Sequence, residues 1–390
     1  MNSKSINLKR WVDKIYPSEK EFLKALKTQK LTIYHGVDPT APGLHLGHST
    51  NYLLLKKFQN LGHKIIILIG DFTAQIGDPT GKLSERKALT KKQVLKNAET
   101  YKSQISKILD FKSKINPVQI KFNSKWYEKI KFADLMKLMA NFTHGKMIKR
   151  NMFQQRLKKG QEINFIEFIY PMLQGYDSVA MNVDVEVGGT DQTFNMMAGR
   201  DLLKKYKKKE KFVITTKLLE NPKTGKKLMS KSEGNYIALN DSPKDMFGKV
   251  MALPDEAIMH CFELCTEVSL IEVKKIKNPK DAKARLAKEI ITIYHSKKEA
   301  ESAEKEFNKI FKEKKLPTEI PEIRIKEKKI NILDLLVKTK LAPSKSEAKR
   351  LILQKGVKID GEVQKDWREV IEIKKGLIIQ VGKRRFAKIN

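Results

Sequence analysis

Apolar positions in the first seventy residues change period twice, and the changes mark three elements. Leu31-Thr32-Ile33-Tyr34-His35-Gly36-Val37 is rich in β-branched and aromatic residues and stops at Asp38-Pro39, where proline cannot donate to a sheet ladder. From His48 to Leu61 the apolar residues Leu54, Leu55, Phe58 and Leu61 recur at helical spacing, and Gly62 stands where a C-terminal cap belongs. His63 to Asp71 then carries the unbroken run Ile65-Ile66-Ile67-Leu68-Ile69, the pattern of a strand buried on both faces. Strand, helix and strand in this order predict a βαβ unit and an α/β core with a parallel sheet.

Further along, a second buried strand is expected at Val183–Val187, stopped by Gly188-Gly189, and the pattern from Pro243 to Phe311 is mainly helical. The segment Lys312 to Lys329 is charged, holds Pro317 and Pro321 and lacks helical periodicity, which predicts a linker. A compact tail follows. Ile332, Leu333, Leu335, Leu336 and Val337 form an apolar helix face, and Ser344-Lys345-Ser346-Glu347 is a capping-box sequence opening a second helix that ends at Gly356. Val357–Val363 reads as a tight hairpin around Asp360-Gly361, and Val370–Ile373 with Leu377–Val381 as another around Lys374-Lys375-Gly376.

Length and composition narrow the class. At about 150 residues per domain, a chain of 390 residues predicts two or three domains. The longest aliphatic run, Ile65–Ile69, is far short of the roughly 18 residues a membrane span needs, and Met1–Trp11 lacks the apolar core of a signal peptide. Membrane insertion and secretion are therefore not expected. Cys261 and Cys265 cannot build a disulfide framework and lack partners for a zinc site, so they read as reduced helix residues of a cytosolic protein. Lys and Arg number 79 against 45 Asp and Glu, a net charge of +34 that favours a polyanionic partner. Yet all but 11 of the 79 are lysine, a skew that background composition also produces, and runs such as Lys204–Lys211 read as solvated faces. Local motifs must decide.

Two motifs carry chemistry. His45-Leu46-Gly47-His48 follows a Pro- and Gly-containing loop at a helix start, where free backbone N–H groups and the positive dipole end attract phosphate. Gly47 permits close approach of a nucleotide to the backbone. Far downstream, Lys226-Lys227-Leu228-Met229-Ser230-Lys231-Ser232-Glu233-Gly234-Asn235 combines small and basic residues, which suits a phosphate clamp that neutralises a departing pyrophosphate.

Together these resemble the HIGH and KMSKS motifs of class I aminoacyl-tRNA synthetases. Tyr34, Asp38–His48, Gly77–Lys82, Tyr170–Asp177 and Gly188–Gln192 look, in that order, like the tyrosyl-tRNA synthetase pattern. The tail resembles the RNA-binding fold named after the fourth small-subunit ribosomal protein. The resemblance implies a Rossmann-like catalytic domain over 1–238 with an inserted dimerisation region, a helical anticodon-binding domain over 239–315, a linker over 316–329 and an RNA-binding α+β domain over 330–390. It implies activation of L-tyrosine with ATP, used as its magnesium complex with no tightly bound cofactor or protein metal site, and transfer of the tyrosyl group to tRNA(Tyr) by a cytoplasmic homodimer. The region from Phe132 to Phe168 is apolar enough to host the dimer interface.

By the same resemblance Thr40, His45, His48, Lys227, Lys231 and Ser232 serve catalysis. Asp38, Gly47, Gly189, Asp191, Gln192, Lys82, Arg86 and Lys231 meet ATP. Asp78, Tyr170 and Gln174 hold the amino acid's ammonium, while Tyr34 and Asp177 read its phenolic hydroxyl. Lys345, Lys349, Arg350 and Lys355, on or beside one helix of the tail, contact tRNA phosphates. The chain departs from the pattern at Leu228, where the family has a lysine, so that either Lys227 acts from one position earlier or the clamp relies on Lys231. A tryptophanyl-tRNA synthetase, another adenylate-forming ligase and a catalytically dead RNA-binding relative remain the alternatives.

Overall fold

A computed structural model describes residues 8–80, 88–229, 236–311, 320–382 and 385–390. The chain divides into two compact units, residues 1–242 with 249–296 and residues 243–248 with 297–390.

The first unit is built on a six-stranded sheet of β1 (Val12–Tyr16), β2 (Thr32–Val37), β3 (Lys64–Ile69), β4 (Gln119–Phe122), β5 (Val185–Gly189) and β6 (Phe212–Thr216). Their order is β1-β6-β5-β2-β3-β4, with β1 antiparallel at one edge and every other pairing parallel. The expected βαβ unit is present. β2 pairs with β3 from Thr32 opposite Lys64 to Val37 opposite Ile69, and the Leu46–Asn60 helix connects them. That helix begins two residues earlier than the apolar spacing predicts, because His45 has extended backbone and acts as its N-cap. β5 starts later than expected and runs through Gly188-Gly189, which pair with Thr215 and Thr216 of β6. Glycine continues the strand here because a Cβ on Gly188 would meet Met196 Sδ at 2.9 Å.

Strand order reverses at β2, which has β3 on one side and β5 on the other. The crevice beyond the carboxyl ends of strands at such a switch point is where open α/β sheets bind ligands.

The division of the chain differs from the expected helical domain beginning at 239. Helices Ile258–Cys265 and Pro279–Tyr294 belong to the first unit. Arg10 donates to the carbonyls of Phe262, Glu263 and Val268, and Trp11 Nε1 to that of Leu264, so the N-terminal segment caps the last turn of the first of these helices. Cys261 and Cys265 are free thiols buried on its apolar face.

In the second unit the tail forms a five-stranded sheet, β10-β9-β12-β13-β7, and a two-stranded one, β11-β8. The strands are β7 (Glu322–Ile323), β8 (Lys329–Asn331), β9 (Val357–Ile359), β10 (Glu362–Val363), β11 (Val370–Glu372), β12 (Ile378–Val381) and β13 (Arg385–Ile389). Helices Ile332–Lys338 and Lys345–Leu353 bury Leu335, Leu336, Ala348 and Ile352 in one core with Val357 and Ile379. The hairpin at Asp360-Gly361 forms, with positive φ at both residues as a two-residue turn of this hand requires.

Two expectations for the tail are corrected. β11 pairs with β8, and β12 lies between β9 and β13, so no hairpin joins β11 to β12; alternation identifies strands but not their partners. Within the stretch expected to be a linker, β7 joins β13 in parallel through Glu322 opposite Lys388 and Ile323 opposite Ile389, so the fold begins before residue 330. The remaining linker positions 316–319 lie outside the described residues. No helix among the described residues is long and apolar enough to cross a membrane.

Candidate active site

A cavity of about 360 Å³ opens at the carboxyl ends of β2 and β5. Tyr34, Asp38, Thr40, His45, Gly47, His48, Asp78, Tyr170, Gln174, Asp177, Gly189, Asp191, Gln192 and Lys227 all border it. Lys82, Arg86, Lys231 and Ser232 lie outside the described residues.

Asp177, on the Ile166–Met181 helix, is buried at one end of the cavity. It accepts hydrogen bonds from Tyr127 Oη at 2.7 Å, Trp126 Nε1 at 2.9 Å and Asn123 Nδ2 at 3.4 Å. Removal from water pushes its carboxyl up to about 8, against the pull of these three donors, which favour the charged form. Tyr34 borders the same end of the cavity, its hydroxyl 2.9 Å from Ser178 Oγ, and burial raises its phenol well above the ordinary value. A buried carboxylate and a buried phenol at one end of a cavity form a site for a ligand hydroxyl that can both donate and accept.

At the other end the groups favour a cation. Asp78 accepts from the backbone N–H and hydroxyl of Thr80 and, at 2.7 Å, from Gln192 Nε2. Tyr170 donates to Asp38 at 2.9 Å, and Thr73 to the other oxygen of that carboxylate at 2.8 Å. Asn195 bridges Gln192 and Gln174 through its amide, at 3.1 and 2.9 Å. Behind Thr80, the Arg150 guanidinium donates to its hydroxyl at 2.9 Å. The two carboxylates are thus oriented by neutral donors on several elements.

A further wall of the cavity is the start of the Leu46–Asn60 helix. His45 Nδ1 accepts from the Gly47 N–H and His48 Nδ1 from the His45 N–H, both at 3.2 Å. With each Nδ1 an acceptor, each neutral ring carries its proton on Nε2. Gly47 has a local reason as well as the expected one: a Cβ there would lie 3.1 Å from the His45 ring. The preceding loop is clamped by residues that the sequence did not single out. Asn97 donates to the Pro39 carbonyl, Tyr101 to that of Ala41, Thr100 and Gln104 to that of Pro42, and Gln104 accepts from the Leu44 N–H.

In the lysine-rich loop, Lys227 reaches the cavity and pairs with Asp191 at 3.0 Å. Leu228 is buried and its N–H bonds the Leu219 carbonyl, while Met229 is buried and its sulfur accepts from the Ile237 N–H. Among the described residues of this loop, the ammonium beside the cavity is that of Lys227. Other groups of the site also escaped the sequence reading. Asn51 lines the cavity and accepts from Thr216 Oγ1 at 2.7 Å, and Asn123, Trp126 and Tyr127 surround Asp177. No spacing links them to the motifs. Lys211, expected on a solvated face, is fully buried.

In the second unit, Ser344 caps the Lys345–Leu353 helix by accepting from the Glu347 N–H. Lys345 pairs with Asp334 at 2.6 Å and Arg350 with Glu347 at 2.5 Å, while Lys349 lies 4.1 Å from the centre of the Trp367 ring. Lys355 follows the helix with positive φ.

Comparison with known proteins places this architecture. Residues 26–312 match the model of class I tRNA synthetases for tryptophan and tyrosine, and residues 312–389 match a C-terminal domain of the tyrosine–tRNA ligase type. A tyrosine–tRNA ligase of Moorella thermoacetica is 44% identical over 98% of this chain and 94% of its own. One from Carboxydothermus hydrogenoformans is 46% identical over 98% of this chain and 96% of its own. In fold, the chain is similar to a C-terminally truncated mitochondrial tyrosyl-tRNA synthetase of Aspergillus nidulans, with a TM-score of 0.67 at 23% identity over 78% of this chain and 92% of that one. The chain therefore belongs to the class I aminoacyl-tRNA synthetases and, within them, to the tyrosine–tRNA ligase family.

The raised Asp177 carboxyl predicts a pH dependence. Its folded pKa, about 8, lies above the unfolded value near 3.9, so the folded state holds the proton more tightly and stability falls as pH rises across that window. In urea titrations, Asp177→Asn is expected to lose less stability than the parent between pH 5 and pH 8; equal losses would contradict the assignment.

Proposed function

We propose that the cavity holds L-tyrosine with its phenol at Tyr34 and Asp177 and its ammonium at Asp78, Tyr170 and Gln174. ATP, entering as its magnesium complex, lies along Asp38, Gly47, Gly189, Asp191 and Gln192. The observation that supports this arrangement is the pairing of a buried hydroxyl-reading end with an acidic, cation-holding end inside one cavity. The enzyme activates tyrosine with ATP to tyrosyl-adenylate and pyrophosphate, then transfers tyrosine to the 3′ end of tRNA(Tyr).

The first step needs little proton chemistry. The tyrosine carboxylate is already an anion; its oxygen bonds to the α-phosphorus as the bond to the bridging oxygen breaks, and negative charge passes to pyrophosphate. Catalysis then consists of positioning and of donors aimed at the growing charge. The Nε2–H groups of His45 and His48 are set by the backbone bonds that fix their tautomers, with His48 toward the ribose. Thr40 and Lys227 add a hydroxyl and an ammonium on the same cavity. Lys231, Ser232, Lys82 and Arg86 complete the set by resemblance to the family.

In the tail, Lys345, Lys349, Arg350 and Lys355 meet tRNA phosphates. The ion pairs that Lys345 and Arg350 now make are exposed and contribute little, so a phosphate can replace them. The inserted region supports a homodimer, since it exposes Phe132 (77%), Phe165 (65%) and Met136 (50%), side chains that a second copy would cover. The buried, unpaired thiols accord with a cytoplasmic enzyme.

Two measurements check this reading. His45→Asn keeps an N-cap acceptor while removing the Nε2 donor, so adenylate formation in a single turnover should slow by about 10² to 10³, roughly 3 to 4 kcal/mol, with tyrosine affinity nearly unchanged. An unchanged rate would remove His45 from the mechanism. Sedimentation at micromolar concentration should give twice the mass of one chain, and a species of single-chain mass would refute the dimer.

A further inference from the structure

Behind the hydroxyl-reading end lies a buried charged cluster that the mechanism above does not use. Lys211 precedes β6 and its side chain has no solvent exposure. Its ammonium ion-pairs with Glu186 of β5 and donates to Ser178 Oγ at 2.8 Å. Ser178, also buried, lies 2.9 Å from the Tyr34 hydroxyl, and Lys211 Nζ is 5.9 Å from the centre of the Tyr34 ring. The space for this head group is built in. A Cβ on Gly199 would lie 2.6 Å from Lys211 Nζ and 2.7 Å from Ser178 Oγ.

We propose that Lys211 is a specificity-positioning residue, which with Ser178 and Glu186 holds the Tyr34 hydroxyl proton away from the cavity, so that the phenol oxygen accepts from a ligand hydroxyl. An ammonium can only donate, so Ser178 Oγ accepts from Lys211 and has a single proton to give. Glu186 Oε2 accepts from Lys211 and, at 3.4 Å, from Ser178 Oγ, and Glu186 Oε1 accepts from Gln174 at 3.3 Å. With that proton on the carboxylate, Ser178 Oγ accepts the Tyr34 hydroxyl proton at 2.9 Å. The Tyr34 proton is thus held toward Ser178, and the phenol oxygen is left as an acceptor at the cavity. A substrate phenol then donates to the Tyr34 oxygen and accepts from the Asp177 carboxyl, which burial keeps protonated. Only a ligand hydroxyl serves both groups; phenylalanine leaves Tyr34 and Asp177 both unpaired at the cavity. This rests on Tyr34 and Asp177 as the phenol readers.

Removing the lysine alone would strand a buried Glu186 charge, so the test uses Lys211→Met with Glu186→Gln, which removes both charges together. The readout is the ratio of kcat/KM for tyrosine to that for phenylalanine in ATP–pyrophosphate exchange, with Tyr34→Phe alongside. The expected result is a fall in this ratio of about tenfold, the scale of one lost hydrogen-bond partner, carried by a higher KM for tyrosine with KM for ATP within about twofold. Gly199→Ala, which keeps every charge but displaces Lys211 and Ser178, should move the ratio the same way and decides the matter if the double variant does not fold. A lower melting temperature with the ratio unchanged, while Tyr34→Phe still lowers it, overturns the role of Lys211 and leaves the phenol reading intact. If Tyr34→Phe also leaves the ratio unchanged, the phenol reading fails and the inference with it.

Discussion

A carboxylate taken out of water at the end of a cavity is costly unless donors surround it, and the arrangement of this active site follows from meeting that cost at Asp177. Its donors come from one short stretch after β4: Asn123, Trp126 and Tyr127. Asn123 also donates to Thr73 and accepts from the Phe72 N–H, tying that stretch to the segment after β3. Thr73 in turn holds Asp38 at the end of β2. The hydroxyl-reading end, the first motif's loop and the cation-holding end are thus parts of one hydrogen-bonded framework.

The wall formed by the helix start rests on a different constraint. A helix start leaves backbone N–H groups without helical partners, and here two of the acceptors that meet them are the imidazoles of the motif itself. The side chains that cap the helix therefore also border the cavity. Fixing Nδ1 as the acceptor leaves Nε2 as the donor, so the local requirement of the helix sets the protonation geometry of the site. The loop before it is held from outside by Asn97, Thr100, Tyr101 and Gln104.

Much of this was legible in the sequence, and the limits are physical. The β2–helix–β3 unit was read from period alone, since Ile65–Ile69 is too apolar and too short to be anything but a buried strand. Tyr34, Asp78, Tyr170 and Asp177 were placed by motif, and the fold brings them to one cavity. Asn123, Trp126 and Gln104 were not found, because a hydrogen bond across fifty residues leaves no local pattern. Lys211 was read as surface because it ends a lysine run; its burial depends on Glu186 and on the room left by Gly199, neither near it in the chain. The strand partners in the tail were misread for a related reason, as alternation carries no information about which edge a strand joins.

If one cavity holds both ends of tyrosine, the amino acid is activated without any contribution from RNA. This is tested most directly by exchange of labelled pyrophosphate into ATP in the absence of tRNA, with tyrosine, tryptophan, phenylalanine and no amino acid compared side by side. The account predicts exchange with tyrosine and only background with the others. Comparable exchange with phenylalanine or tryptophan would contradict the hydroxyl reading at Tyr34 and Asp177, and no exchange with any amino acid would contradict the chemistry itself.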